Sequence, residues 1–125
     1  MNVPTDLLYT SDHEWVSIVG NVATIGITDF AQGELGDIVF VEFPELNSTV
    51  EKGQSAGSIE AVKTVADLYM PISGIVIAVN GNLDNNPEAV NDTPYGDGWM
   101  VKIEIANQDE ISYLLTATAY DDLIS

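Results

Sequence analysis

A chain of 125 residues with 46% apolar content is the length of one domain, 1–125, and holds enough apolar material for a buried core. Three basic residues against 20 acidic ones give a formal charge of -17, which repels phosphate backbones and acidic lipid surfaces and so excludes nucleic acid and membrane as partners. Cysteine is absent, which removes disulfide staples and a thiol nucleophile together. Apolar runs such as Gly74 to Val79 break well before the ~20 residues that a membrane span needs. Met1 to Asp6 lacks the basic start and apolar stretch of a signal peptide, and a chain without arginine cannot carry an Arg-rich transit peptide. The expectation is a cytoplasmic protein or, if it works in an organelle, one whose leader has been removed.

Along the chain, Trp15 to Val19 and Val22 to Ile27 read as two short strands joined by Gly20-Asn21, residues that tolerate the positive φ of a tight hairpin. Thr28 offers an N-cap hydroxyl ahead of a short helix through Leu35, which Gly36 is placed to end in a left-handed conformation. Ile38 to Phe43 is a β-branched and aromatic run closed by Pro44, and Ser58 to Val62 is the next strand-like run. Leu68 to Met70 leads through Pro71 to a strand over Ile75 to Val79, followed by a polar loop from Asn80 to Asn86. Trp99, Val101, Ile103 and Ile105 alternate with Met100, Lys102 and Glu104, which predicts a strand with one face buried and Lys102 outward. Ile111, Leu114 and Leu115 then recur at helical spacing, and Thr118 with Asp121 resembles a capping signal, so one or two short helices close the domain.

A faint repeat links Gly36 to Val41 (GDIVFV) with Gly74 to Val79 (GIVIAV), each followed by a loop and a strand that begins near Gly57 or Gly98. If the two halves pair, the link around Val62 to Val65 is a turn between two strands, and a residue there projects from a hairpin tip. Against this, Ala61-Val62-Lys63-Thr64 contains no Gly, Asn or Pro, and its local pattern predicts a continuous strand. Only three lysines exist: Lys52 in a turn-like segment, Lys102 on a strand face, and Lys63 amid apolar residues. On its neighbours alone, Lys63 is either a solvated strand residue or a modification site.

The segment Ile59-Glu60-Ala61-Val62-Lys63-Thr64-Val65-Ala66-Asp67-Leu68-Tyr69, followed by Pro71-Ile72-Ser73-Gly74, resembles the lipoyl-lysine segment of glycine cleavage H-proteins. The resemblance runs over nearly the whole chain. It takes in Tyr9, His13-Glu14-Trp15-Val16, Gly26-Ile27-Thr28, Ala31-Gln32, Leu35 to Val41, Val79-Asn80, Pro94-Tyr95-Gly96 and Gly98-Trp99-Met100. It implies a mainly β fold, a flattened β-barrel or sandwich of two antiparallel sheets with short helices, carrying lipoate on Lys63 at a hairpin turn. It also implies a carrier and not an enzyme. Its arm takes the aminomethyl group from glycine decarboxylase (P-protein) to the tetrahydrofolate-dependent aminomethyltransferase (T-protein) and is reoxidised by dihydrolipoyl dehydrogenase (L-protein), after lipoate-attaching enzymes have loaded it. The lack of a catalytic constellation fits this division, since the cofactor supplies the chemistry and the protein supplies position. Ala61, Thr64 and Ala66 depart from the small residues usual for the family at those places, but Glu60, Lys63 and Asp67 are kept.

Glu14 and Asp67 are, by the same resemblance, candidates to hold a positively charged arm in a surface cleft, with Glu60 a candidate for recognition of the lysine; solvated surface carboxylates are the competing reading. Asp12-His13-Glu14 has the ligand types of a metal or acid–base cluster, but adjacent strand residues face opposite ways, so no metal site is expected. Some family members carry histidine where Glu34 stands, and no role is transferred to it. Trp15 and Trp99 are expected to anchor the core. A lipoyl domain of a 2-oxo acid dehydrogenase is shorter and has Asp-Lys-Ala at the lysine, and a biotin carrier flanks its lysine with methionines, whereas Met70 is the nearest here. An H-like protein that is never modified, serving as a lipoate-relay platform or acidic binding module, stays open on the sequence.

Overall fold

The computed structural model describes residues 2–125. The N-terminal hairpin forms as expected: β2 (Glu14–Val19) and β3 (Val22–Ile27) pair from Glu14 opposite Ile27 to Val19 opposite Val22, with Gly20 at φ 61 in the turn. β9 (Val101–Ile105) continues the sheet beside β3, followed by β8 (Gly74–Val79) and β5 (Thr49–Val50), while β1 (Leu8–Tyr9) closes the other edge. The second sheet has three strands in the order β4 (Ile38–Glu42), β6 (Ser55–Ala61) and β7 (Val65–Tyr69). Every pairing is antiparallel.

The inward residues of both sheets, among them Val16, Ile25, Ile103 and Val76 from the larger and Ile38, Val41, Ile59 and Leu68 from the smaller, form one apolar cluster. Each such side chain withdrawn from water contributes roughly 1.5–3 kcal/mol, which holds the sheets face to face. The expected mainly β architecture of two antiparallel sheets is therefore present as a sandwich, and among the described residues neither sheet closes into a barrel. The repeat has a structural counterpart: β4 pairs antiparallel with β6, and β8 with β9, one such pair in each sheet.

Helix α1 (Asp29–Leu35) has Thr28 as its N-cap, with Oγ1 accepting from the Ala31 N–H, and ends at Gly36 with φ 81, both as the sequence predicts. Other local expectations are corrected. The strand expected from Trp99 begins at Val101, and Met100 is fully buried instead of outward, because its N–H donates to the Ile25 carbonyl and its carbonyl accepts from Asn80, which pulls the chain inward. Trp99 is half-buried, with the Lys102 Nζ 5.2 Å from its ring, so it is less of a core anchor than Trp15, which is 2% exposed. The polar loop after β8 contains a 3-10 turn over Gly81–Asp84, and a four-residue helix α2 (Ala89–Asp92) follows that the polar composition hides. At the C-terminus the cap is Thr116 and not Thr118: Oγ1 of Thr116 accepts from the Ala119 N–H and opens α3 (Ala117–Ile124). Ile111 lies in a 3-10 stretch over Gln108–Tyr113 that Leu114 caps in an extended conformation, and Leu115 instead bridges to Tyr9.

Candidate functional site

The apolar pattern through Ala61 to Val65 predicts an unbroken strand, yet the chain reverses there. Ile59 and Ala61 on β6 and Leu68 just after the reversal are all buried in the same core, which a straight strand could not accomplish. The turn is closed by the Ala61 N–H donating to the Thr64 carbonyl at 2.8 Å, leaving Val62, Lys63 and Thr64 exposed at the tip. The tip is braced from outside: the Val62 N–H donates to the Asp37 carbonyl, the Ile38 N–H to Oδ1 of Asn91, and Nδ2 of Asn91 to the Gly36 carbonyl. A Cβ at Gly36 would lie 3.5 Å from Cε of Lys63, so the lysine stem rests over the glycine that ends α1. Asn91 thus ties α1, α2 and β4 together beneath the hairpin, and nothing in the spacing of its polar neighbours marked it.

Beside this hairpin lies a cleft of about 350 Å³. Ile27, Phe30, Leu35 and Ile59 give it apolar walls, and Asp12, Glu14, Glu34 and Asp67 bring carboxylates. Leu35 lines it directly before Gly36, so the cleft begins where the lysine stem rests. The structure brings Glu14 and Asp67 to this one cleft and separates Glu60 from it. Glu60 is exposed, on the sheet face turned away from the core, and Asp67 is exposed on the edge strand β7, accepting from the Tyr69 hydroxyl at 3.3 Å.

Glu14 is not a solvated surface residue: it is 2% exposed. Oε1 accepts from the Thr10 hydroxyl at 2.7 Å. Burial pushes its carboxyl up to about 7, with the Asp12 charge adding to the rise, while the Thr10 hydroxyl and a backbone bond from Tyr69 on the open edge of β7 oppose it. A buried acid with this balance is neutral or charged at physiological pH according to what lies next to it.

His13 stands apart from Glu14 although adjacent in sequence. Its backbone is left-handed, φ 68, which interrupts strand alternation. Its ring packs 4.7 Å from Phe30, and Nδ1 is 2.8 Å from the Tyr120 hydroxyl of α3. That hydroxyl is also 2.7 Å from Oγ1 of Thr28, the α1 cap. Burial lowers the His13 pKa, against Asp12 and Glu34, which raise it. Among the described residues no group of three or more His, Cys, Asp or Glu is arranged to hold a metal ion. Tyr120 and Thr10, which position the cleft's histidine and glutamate, carry no motif of their own; the helical spacing near the C-terminus was the one signal that could have pointed to the first.

Residues 7–125 match the family model described as glycine cleavage H-protein. The chain belongs to the glycine cleavage H-protein family. It is 50% identical over 124 residues to the glycine cleavage system H protein of Staphylococcus haemolyticus (strain JCSC1435), an alignment that spans 99% of this chain and 98% of that protein. The crystal structure of a glycine cleavage system H protein from Mycobacterium marinum superposes with a TM-score of 0.87 at 38% identity, covering 96% of this chain and 97% of that one. Family membership gives the chain the coarse role of a lipoyl carrier component of the glycine cleavage system.

Proposed function

We propose that this chain, acting as one unit over 1–125, carries lipoate in amide linkage on Nζ of Lys63 and presents it in turn to glycine decarboxylase, aminomethyltransferase and dihydrolipoyl dehydrogenase, after a lipoate-attaching enzyme has loaded it, in the cytoplasm of a bacterium. The observation that carries this reading is an exposed lysine on the tip of a braced two-strand hairpin, with an apolar-walled cleft and a buried carboxyl alongside. These residues fit the group: Leu35, Ile59 and Phe30 would offer an aliphatic acyl chain an apolar wall, and amide formation would remove the only cationic charge on the hairpin. When bound, lipoate would supply a disulfide able to accept the one-carbon amine fragment on one sulfur, and it would become a dithiol only once that fragment has been passed on. Lys63 holds that tether clear of the sheet, which raises the local concentration of its far end at each docked enzyme. The apolar walls exclude water from a loaded arm, Glu14 takes its negative form as a cation approaches, and Asp67 adds charge at the mouth.

The test is intact and peptide mass spectrometry after co-expression with a lipoate ligase. The lipoyl mass is expected on the Lys63 peptide and is absent from Lys63→Arg; modification of Lys52 or Lys102 instead, or of nothing, overturns the site. The lipoylated chain is then expected to support exchange of the glycine carboxyl carbon with bicarbonate by glycine decarboxylase. A fully lipoylated chain that supports none is a platform and not a shuttle.

A further inference from the structure

The outward face of the three-stranded sheet is more apolar than a solvent face requires. Ile38 pairs with Ala61, and Phe40 with the very next residue, Glu60, so Val39 is an extra residue in β4, a bulge. Simple alternation would turn Phe40 inward. With the bulge, Val39 and Phe40 are both exposed, 48% and 46%, between buried Ile38 and Val41. Bulges protect an open edge strand such as β4, but that purpose does not require a phenylalanine. Phe40, Glu60 and Val65 lie opposite one another across β4, β6 and β7, so they form one row on this outer face. Val65 is 61% exposed and Val62, next to the lysine, 77%. Lys63 therefore has Val62 and Val65 on its own hairpin and Val39 and Phe40 on the strand whose lead-in supports its stem. Asp37, Glu42 and Glu60 are exposed around them, and the other two lysines of the chain lie elsewhere, over Tyr113 and Trp99. Of the cleft's residues, Ile59 is on the opposite side of this sheet from the row.

We propose that this face, with Phe40 as its anchor, is the docking surface for the enzyme that attaches lipoate, and that this enzyme covers it with an apolar contact rimmed by lysine or arginine. The inference rests on the Lys63 reading. In the attachment step the neutral Nζ attacks the carbonyl of an activated lipoyl group such as an acyl adenylate; the amide C–N bond forms, the activating group leaves with its oxygen, and one Nζ proton passes to solvent. Nζ sits on a short stem, so the enzyme performing this step must bring its active site onto the hairpin itself. Enzymes that act on the finished arm meet its far end and need no contact so close to the lysine. An exposed phenylalanine at the centre of an acidic surround matches the aromatic enrichment of an interface core that faces a basic partner.

The experiment measures the rate of lipoyl attachment to the unmodified chain by a purified lipoate ligase, followed by mass spectrometry, for wild type, Phe40→Ser, Phe40→Leu, Glu42→Lys and Ile75→Ser. Ile75 is a matched control on β8, 42% exposed and in the other sheet. Phe40→Ser is expected to lower kcat/KM for attachment by roughly tenfold, mainly through KM, and Glu42→Lys by roughly threefold, with Phe40→Leu and Ile75→Ser within about twofold of wild type. Far-UV circular dichroism and thermal melts confirm that each variant is folded. Once lipoylated to completion, Phe40→Ser is expected to support bicarbonate exchange as wild type does. A folded Phe40→Ser that is modified at the wild-type rate, or that is modified normally but fails in exchange, overturns the proposal while leaving Lys63 as the carrier. Absence of modification on wild type itself overturns the Lys63 reading instead.

Discussion

Glu14 shows how one residue's surroundings set its chemistry. Its carboxyl ionises near 4.5 when solvated and at about 7 in the folded chain, because burial outweighs the Thr10 hydroxyl and the Tyr69 backbone bond that favour the charged form. The folded state therefore binds the extra proton between these values, so the stabilising contribution is complete below about 4.5 and is lost as pH rises through about 7. Relative to Glu14→Gln, wild-type stability in urea is expected to fall by about 3 kcal/mol over that interval, and parallel curves for the two proteins would contradict the burial argument. Tyr120 is the second residue whose value lies in its partners. Phenylalanine at that position leaves Nδ1 of His13 and Oγ1 of Thr28 without their shared hydroxyl, and a loss of about 1–3 kcal/mol is expected in thermal or urea unfolding.

At the scale of elements, the sequence was informative where local chemistry alone decides the outcome. Thr28 and Gly36 bracket α1 because a hydroxyl satisfies an N-terminal N–H and a left-handed residue ends a helix, requirements met within a few residues. Thr28→Ala is expected to cost more than an ordinary cap, toward the upper end of about 0.5–2 kcal/mol, since it also removes a buried partner of Tyr120. Gly74, which begins the second copy of the repeat, faces the Glu104 carbonyl of the neighbouring strand so closely that a Cβ would collide with it. Gly74→Val is expected to lower the melting temperature sharply, whereas Gly33→Ala, where a Cβ meets nothing within 4 Å, is expected to leave it unchanged or raise it. The hairpin at Lys63 was legible only through the repeat and the family resemblance. Its own residues favour a strand, and the reversal comes from the core, which draws in Ile59, Ala61 and Leu68 together.

For the whole molecule, a formal charge of -17 acts on encounter and not on fold. Raising salt from about 50 to 200 mM is expected to raise the KM for this chain several-fold in glycine decarboxylase exchange while leaving kcat nearly constant, because screening weakens long-range attraction and not the docked chemistry. A KM indifferent to salt would remove steering from the account. The sequence by itself determined the acidic charge, the first hairpin, the caps of α1 and the family that the segment around Lys63 resembles, and through that resemblance the two-sheet β class and the carrier role, since composition, period and motif are properties of neighbours along the chain. Tertiary structure alone decided that Glu14 is buried and Glu60 is not, that His13 answers to a tyrosine on the last helix, and that Phe40 faces outward on the strand paired with the lysine's hairpin. Burial and the register of a bulge are set by residues far apart in the chain, and no local pattern carries them.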